Sequence, residues 1–144
     1  MLDDLYQQII LDHYRRPRNK GKVDPSDFVA KENNPLCGDE IEVTARVKDG
    51  KIEEIKFAGH GCAISQASAS IMTMKLTGKT PAEAEVLITG FLKMMRGDEL
   101  FSGKDLGDAK ALEGVLKFPV RVKCATLAWH TAQEGISSMK AGPA

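Results

Sequence analysis

The chain has 144 residues, of which 42% are hydrophobic and 28% charged, a balance typical of one globular domain with its own core. The 20 basic and 20 acidic residues cancel, so the net charge provides no general attraction to nucleic acid or to an anionic membrane. The N-terminal MLDDLYQQII lacks the basic start of a secretory signal, and no apolar run is long enough to span a bilayer. We therefore expect a single domain over residues 1–144, a flexible tail over 139–144, a cytoplasmic location, and neither a nucleic-acid nor a membrane partner.

The N-terminal segment predicts an amphipathic helix over residues 2–14, because its apolar residues recur at helical spacing. Pro17 would end this helix, and His13 on its apolar stripe is expected to be partly buried. The basic RRPRNKGK that follows is interpreted as a solvated connector, with a docking patch for an acidic partner as the alternative.

Three segments predict a small antiparallel sheet. DFVAKEN is interpreted as an edge strand, and EIEVTARV alternates apolar and polar residues as a half-buried strand does. The Asp-Gly of KDGK is a hairpin signal, and KIEEIKFAG returns the chain along its neighbour. Ile52 is out of phase with Ile55 and Phe57, which predicts a bulge near the turn.

The second half of the chain predicts mainly helices. CAISQASASIMTMKLTGK is expected to be a helix closed by Gly78, and TPAEAEVLITGFLKMMRGD one with Thr80 as N-cap and Glu83 completing a capping box. GDELFSGKDLGDAK is expected to be a loop and ALEGVLKFPV a short apolar connector. KCATLAWHTAQEGISSMK predicts a last helix, frayed at Gly135.

The chain contains three cysteines, and each falls at a junction between predicted elements. Cys37 lies in a Pro- and Gly-flanked turn, Cys62 opens a helix, and Cys124 is expected in the first turn of the last helix. An odd number of cysteines cannot pair completely, and thiols in a reducing compartment are more often buried, reactive or metal-bound. A helix N-terminus also lowers the pKa of a thiol, which favours thiolates at Cys62 and Cys124.

Asp39 is the candidate fourth ligand if the three thiolates hold one metal ion. It follows Cys37 by two residues on an extended strand, so both side chains point to the same side. Three thiolates and a carboxylate would complete a tetrahedral zinc site with a net charge of about −2, which Arg121 and Lys123 would offset. Because a carboxylate is more exchangeable than a thiolate, this site would be labile at Asp39. Spacing alone leaves separate buried thiols as an open alternative.

The segments NPLCGDEI, GHGCAISQASAS and FPVRVKCATLAW closely resemble the three cysteine motifs of the U-type iron–sulfur cluster assembly proteins, the IscU/SufU family. The similarity extends from the N-terminal helix to LAW. It implies an α+β fold, with a three-stranded antiparallel sheet and helices packed on one side. It also implies that Cys37, Asp39, Cys62 and Cys124 form one surface site that binds zinc or an assembling cluster.

Two details resemble the SufU branch of that family. Lys123 stands where the IscU branch normally has a histidine before the third cysteine, and the segment between the second and third cysteines is longer than in IscU. The resemblance implies a zinc-bound sulfur acceptor that serves a SufS-type cysteine desulfurase and passes sulfur on to cluster assembly, meaning a downstream scaffold or apo iron–sulfur proteins. The alternative is a scaffold on which a transient [2Fe-2S] cluster is built. We take Cys37, on its mobile turn, as the sulfur acceptor.

Two other classes of function are alternatives, of which we do not expect the hydrolase, because no Cys–His pair carries a supporting signature and three thiols are surplus to one. A cysteine hydrolase would pair a thiol with a histidine and a carboxylate, and a binding module would use zinc only structurally. His60, two residues before Cys62, is taken as a neighbour of the site, and His130 as a surface or packing residue.

Overall fold

The computed structural model describes residues 2–35, 38–97 and 106–141. Its elements, in chain order, are α1 (Leu2–Arg15), β1 (Phe28–Asn34), β2 (Asp39–Lys48), β3 (Lys51–His60), α2 (Ala63–Leu76), α3 (Pro81–Met94), a 3-10 helix (Gly107–Lys117) and α4 (Pro119–Ala141). The predicted α+β class is confirmed.

The three strands form an antiparallel sheet in the order β1-β2-β3. Val43 pairs with Ala30 on one side and with Phe57 on the other. The register shifts between Arg46 and Val47, which confirms the bulge near the turn and lets Ile52 join the core at 0% exposure. The apolar face of the sheet packs against α4 over β1 and β2 and against α2 over β3. The helices thus cover the face of the sheet that carries the alternating apolar residues of the strands.

The basic connector after α1 runs along the free edge of β3. The Gly21 N–H donates to the Phe57 carbonyl at 2.8 Å, and the Phe57 N–H donates to the Asn19 carbonyl at 3.0 Å. Such pairing protects an edge strand from pairing with another chain. The interpretation of this segment as only a solvated loop is therefore wrong for its backbone, although the side chains of Asn19 and Lys20 are exposed.

The end of α2 and the start of α3 follow the expected signals. The Glu83 N–H donates to Thr80 Oγ1 at 3.1 Å and the Thr80 N–H donates to Glu83 Oε1 at 2.9 Å, so the capping box at α3 is confirmed. Gly78 follows α2 with φ of +83°, a conformation in which glycine has no steric penalty. These signals are local, and local signals suffice to fix helix ends.

The region before α4 differs from the expectation. The connector predicted for ALEGVLKFPV is a 3-10 helix, Gly107–Lys117, which buries Ala111, Leu112 and Val115. The helix α4 begins at Pro119, four residues earlier than predicted, with a proline in the first turn where its missing N–H is harmless. The loop predicted over 97–110 lies mostly at residues 98–105, outside the described residues.

Gly135 does not fray the last helix. It lies within α4, which continues to Ala141, and a Cβ at this position would overlap the ring of Phe28. The missing side chain is therefore what lets α4 approach β1 closely. The tail predicted from residue 139 is helical over 139–141, and residues 142–144 lie outside the described residues.

Candidate metal centre

Three predicted site residues converge on one point at the end of the sheet. One ligand atom each of Asp39, Cys62 and Cys124 lies within 4.8 Å of the others. Asp39 begins β2, Cys62 precedes α2 and Cys124 lies on α4, so three separate elements build the cluster. The fourth predicted ligand, Cys37, lies outside the described residues. Two thiols and a carboxylate at this separation are suited to a single zinc-sized cation.

The carboxylate of Asp39 is buried and only half satisfied. Asp39 is 1% exposed, and its Oδ1 accepts a hydrogen bond from the Cys62 N–H at 2.9 Å. Its Oδ2 is buried and has no hydrogen-bond partner in the described part of the chain. A buried carboxylate oxygen without a partner is unfavourable unless a cation or a donor completes it. The carboxylate therefore fits a metal ion on its free side.

Glycines allow the strand ends to close around Asp39. A Cβ on Gly61 would lie 3.0 Å from Cγ of Asp39 and 3.1 Å from its Cβ, with Oδ1 closer still. Gly59 has φ of +122°, and a Cβ there would lie 2.9 Å from the carbonyl carbon of Glu40. Glycine has a specific role at position 61, because a side chain there would displace the carboxylate of Asp39.

Cys62 is the N-cap of α2. Its extended conformation, with φ of −70° and ψ of 168°, directs the thiol over the first turn, where Sγ accepts a hydrogen bond from the Ser65 N–H at 3.5 Å. Negative charge at this position is favoured by the free N–H groups and the dipole of the helix. The predicted helix N-terminal position of Cys62 is confirmed, and the residue is partly accessible to solvent.

Cys124 lies elsewhere in its helix than predicted. Because α4 begins at Pro119, Cys124 lies in the second turn, where it is 0% exposed. The expectation that all three cysteines lie at element junctions is therefore wrong for Cys124. The expectation that a helix N-terminus stabilises the thiolate of Cys124 is wrong for the same reason. Its position is set by the packing of α4 against the sheet.

Charged residues are neighbours of the cluster residues along the chain. Arg121 and Lys123 are exposed and lie within the first turn and a half of α4. The side chain of His60 is 74% exposed, with Nε2 4.0 Å from Oε2 of Glu40. Lys31 Nζ lies 2.7 Å from Oε1 of Glu40, and this hydrogen bond lowers the pKa of Glu40.

The remaining histidines are not members of the described cluster, and His130 lines a surface cavity together with Asn34 and Lys123. His13 is 3% exposed, and its Nδ1 is hydrogen-bonded to Ser70 Oγ at 2.8 Å. Burial, reinforced by the nearby Arg18, lowers the pKa of His13. His130 is exposed on α4. The described cluster contains no histidine, so Cys62 and Cys124 offer no support for a cysteine hydrolase.

Sequence reasoning missed three polar residues beside the cluster. Asn34, Ser65 and Gln66 are buried, and each has a buried side-chain atom without a hydrogen-bond partner in the described residues. The only signal in the sequence was that Gln66 follows Cys62 by four residues, which places both on one helix face.

A small antiparallel sheet covered by helices, with two thiols and a carboxylate gathered at its end, defines an α+β protein built around a metal-binding centre. The family model of the NifU-like N-terminal domain matches residues 5–141, and the chain belongs to this family.

Relatives and solved structures of similar sequence cover nearly the whole chain. The zinc-dependent sulfurtransferase SufU of Bacillus subtilis is 47% identical over 141 residues, 98% of this chain and 95% of the relative. The iron–sulfur cluster assembly scaffold protein IscU of Streptococcus pyogenes is 46% identical, over 94% of this chain and 84% of the relative. The crystal structure of FiSufU from Fervidobacterium islandicum superposes with a TM-score of 0.85 at 36% identity, covering 90% of this chain and 94% of that one. The resemblance to the IscU/SufU family is confirmed, and no helix among the described residues has the length and apolarity to cross a membrane.

Proposed function

We propose that this chain is a zinc-dependent sulfur acceptor in iron–sulfur cluster assembly. The observation that carries the proposal is the buried Asp39 carboxylate, whose second oxygen has no partner in the described residues and whose neighbours within 4.8 Å are two thiols. Relatives named as a zinc-dependent sulfurtransferase and as a cluster assembly scaffold support the same process.

The donor set fits zinc. Asp39, Cys62 and Cys124 would hold the ion, and Cys37 is the fourth ligand we propose. Cys37 precedes Asp39 by two residues, so their Cα atoms are at most about 7 Å apart. Bound zinc would keep the thiols deprotonated near neutral pH and join the three elements that carry them.

We assign the acceptor role to Cys37 because the two described thiols are anchored. Cys124 is fully buried in a helix and Cys62 caps another, whereas Cys37 lies in a connection between two strands. In the transfer step, the thiolate of Cys37 attacks the terminal sulfur of an enzyme persulfide. The S–S bond of the donor breaks, a new S–S bond forms at Cys37, and the donor cysteine leaves as a thiolate. The sulfane sulfur keeps its oxidation state, so no external oxidant or reductant is needed.

The proposed donor is a SufS-type cysteine desulfurase, and the proposed recipients are a downstream cluster scaffold or apo iron–sulfur proteins. Free thiols at a metal centre require a reducing compartment, so we place the activity in the cytoplasm. The exposed Arg121, Lys123 and His60 border the cluster, and we propose that they offset its negative charge. Lys123 carries no metal-binding imidazole next to Cys124, which favours sulfur transfer over a scaffold that holds a [2Fe-2S] cluster.

The test combines metal analysis with a transfer assay. Freshly purified protein should contain one zinc per chain and show no visible absorption. With cysteine and a SufS-type desulfurase it should increase alanine release, and mass spectrometry should locate the added sulfur on Cys37. The variant Cys37→Ser should abolish both the stimulation and the label.

Other outcomes separate the alternatives. A coloured protein with absorption of an iron–sulfur cluster would support the scaffold instead. Zinc without stimulation of the desulfurase would indicate a structural module. Sulfur found only on Cys62 or Cys124 would show that the acceptor assignment is wrong.

A further inference from the structure

Buried polar atoms without partners concentrate around the metal centre. Five buried side-chain atoms of the described residues have no hydrogen-bond partner: Arg18 Nη1, Asn34 Nδ2, Asp39 Oδ2, Ser65 Oγ and Gln66 Nε2. Four of them belong to the end of β1, the start of β2 or the first turn of α2. Native proteins leave few such groups unpaired, so each calls for a physical reason. A common location suggests a common reason, namely that these atoms gain a hydrogen-bond partner or a metal ion when the centre binds metal.

Asn34 lies directly opposite Asp39 across the β1–β2 pair. Both residues are buried, at 6% and 1% exposure, and both point to the helix-covered face of the sheet. Side chains of directly opposed residues have Cβ atoms about 4.5–5.5 Å apart, within reach of a short amide and a carboxylate. Asn34 offers an unpaired N–H donor and Asp39 an unpaired oxygen. The two residues are opposed in the register, and their unpaired groups are complementary, one a donor and the other an acceptor.

Gln66 is a second buried amide near a proposed metal ligand, in this case Cys62. It follows Cys62 by four residues, and helical side chains at i and i+4 lie on one face and tilt toward the N-terminus. The Gln66 side chain therefore leans toward the end of α2 that begins at Cys62. Gln66 is 6% exposed and its Nε2 has no partner within the described chain, so a buried donor is available in the first turn of this helix. The Ser65 N–H already donates to Cys62 Sγ, so the amide would be a second donor.

We propose that the side-chain amides of Asn34 and Gln66 are positioning residues that donate hydrogen bonds to the anionic ligands of the metal centre, Asn34 to Asp39 and Gln66 to the thiolate of Cys62. This inference rests on the proposed metal site. Zinc with three thiolates and one carboxylate has a net charge of about −2. Two neutral donors offset part of that charge from inside the protein. Partners of metal ligands orient the ligand and set its basicity.

The test uses nearly isosteric variants that replace the amide with apolar atoms, Asn34→Leu and Gln66→Met. We expect zinc affinity, measured by competition with a chromophoric chelator, to fall about 10–100-fold in each variant. Thermal stability of the zinc-free protein should be unchanged or higher, because each variant removes a buried N–H donor that has no partner among the described residues. This combination of weaker binding with intact folding would not result from a merely structural role.

Cobalt provides a second measurement that distinguishes the two amides. In cobalt-loaded protein, Gln66→Met should move the thiolate-to-metal charge-transfer band to longer wavelength, because loss of a donor makes the sulfur more electron-rich. Asn34→Leu should leave this band in place, because its partner is a carboxylate. Matched controls are Asn33→Ala, at the exposed neighbour on β1, and Gln133→Met, on α4 away from the cluster. Both controls should keep wild-type affinity and spectrum.

Results that would overturn the role of the two amides differ from results that would overturn the proposed metal site. Wild-type protein that binds neither zinc nor cobalt would overturn the metal site itself. Wild-type protein that binds both, with variants of equal affinity and unchanged spectra, would overturn the role of the amides alone. Variants that lose zinc-free stability in proportion to affinity would show ordinary packing residues and would also overturn it. If Asn34→Leu does not fold, Asn34→Ala removes the donor without apolar bulk and decides the same question.

Discussion

Replacing Gly61 by alanine should displace Asp39 and weaken the whole centre. The backbone of Gly61 is not among the positive-φ positions, so alanine is conformationally acceptable there. Its Cβ, however, would lie 3.0 Å from Cγ of Asp39, against an ordinary carbon–carbon contact of about 3.5–4.0 Å. Asp39 would have to retreat by at least about half an ångström. That shift would stretch the 2.9 Å hydrogen bond from the Cys62 N–H to Asp39 Oδ1 beyond effective length.

The size of the effect follows from three contributions. Loss of a hydrogen bond to a charged group costs about 1.5–3 kcal/mol, and overpacking in a well-packed site costs about 1–3 kcal/mol. Alanine restricts the unfolded chain and returns about 0.4–1 kcal/mol. The free energy of unfolding should therefore fall by about 1.5–5.5 kcal/mol, which lowers the melting temperature by about 3–20 °C in a domain of this size.

Thermal unfolding of the zinc-free protein measures this effect without contribution from the metal. The matched control is Gly114→Ala in the 3-10 helix, where no atom lies within 4 Å of the added Cβ. This control should keep or slightly raise the melting temperature. Equal melting temperatures for the two variants would refute the packing argument. A lower melting temperature with wild-type zinc affinity would refute the link from Gly61 to the position of Asp39.

Two further predictions concern residues away from the metal centre. In the folded protein the pKa of His13 is lowered, first by burial and then by Arg18, against the opposing effect of Asp108. The free energy of unfolding should therefore decrease as the pH falls below the ordinary pKa of 6.5. The variant His13→Gln should flatten this pH dependence in denaturation curves recorded at several pH values, and an unchanged slope would contradict the prediction. Gly135→Ala should destabilise the protein by several kcal/mol in denaturant titrations, because its Cβ would overlap the Phe28 ring, and a loss below about 0.5 kcal/mol would show that α4 shifts freely on the sheet.

The sequence was most informative where local chemistry decides the structure. The strand alternation and the phase break at Ile52 located the hairpin and its bulge, and Thr80 with Glu83 located the start of α3. Each of these signals acts over a few residues, so no distant contact can easily override it. Cys62 as the first residue before α2 belongs to the same group.

Long-range packing decided what the sequence did not predict. The 3-10 helix Gly107–Lys117 contacts α1 and α4. Its buried Ala109, Leu112 and Val115 recur every three residues, a 3-10 period that the predictions from α-helix and strand patterns did not use. Pro119 was a usable start signal for α4, and overlooking it placed Cys124 one turn too early. The unpaired amide of Asn34 becomes visible only from the β1–β2 register and from the absence of partners in the described residues, neither of which a linear sequence contains.

Several features that are unfavourable for packing occur together at the end of the sheet. Gly59 and Gly61 leave out side chains, and Asp39 and Gln66 bury polar atoms that the described protein does not satisfy. An apolar filling of the same space would be more stable without metal, because it would remove the unpaired groups and retain the hydrophobic contacts. Since real proteins accept such local penalties mainly at functional sites, the concentration of four of them around Cys62 is an argument for function that does not depend on any relative. It also means that part of the energy of metal binding is used to complete the fold, so the loaded protein should be the more stable form.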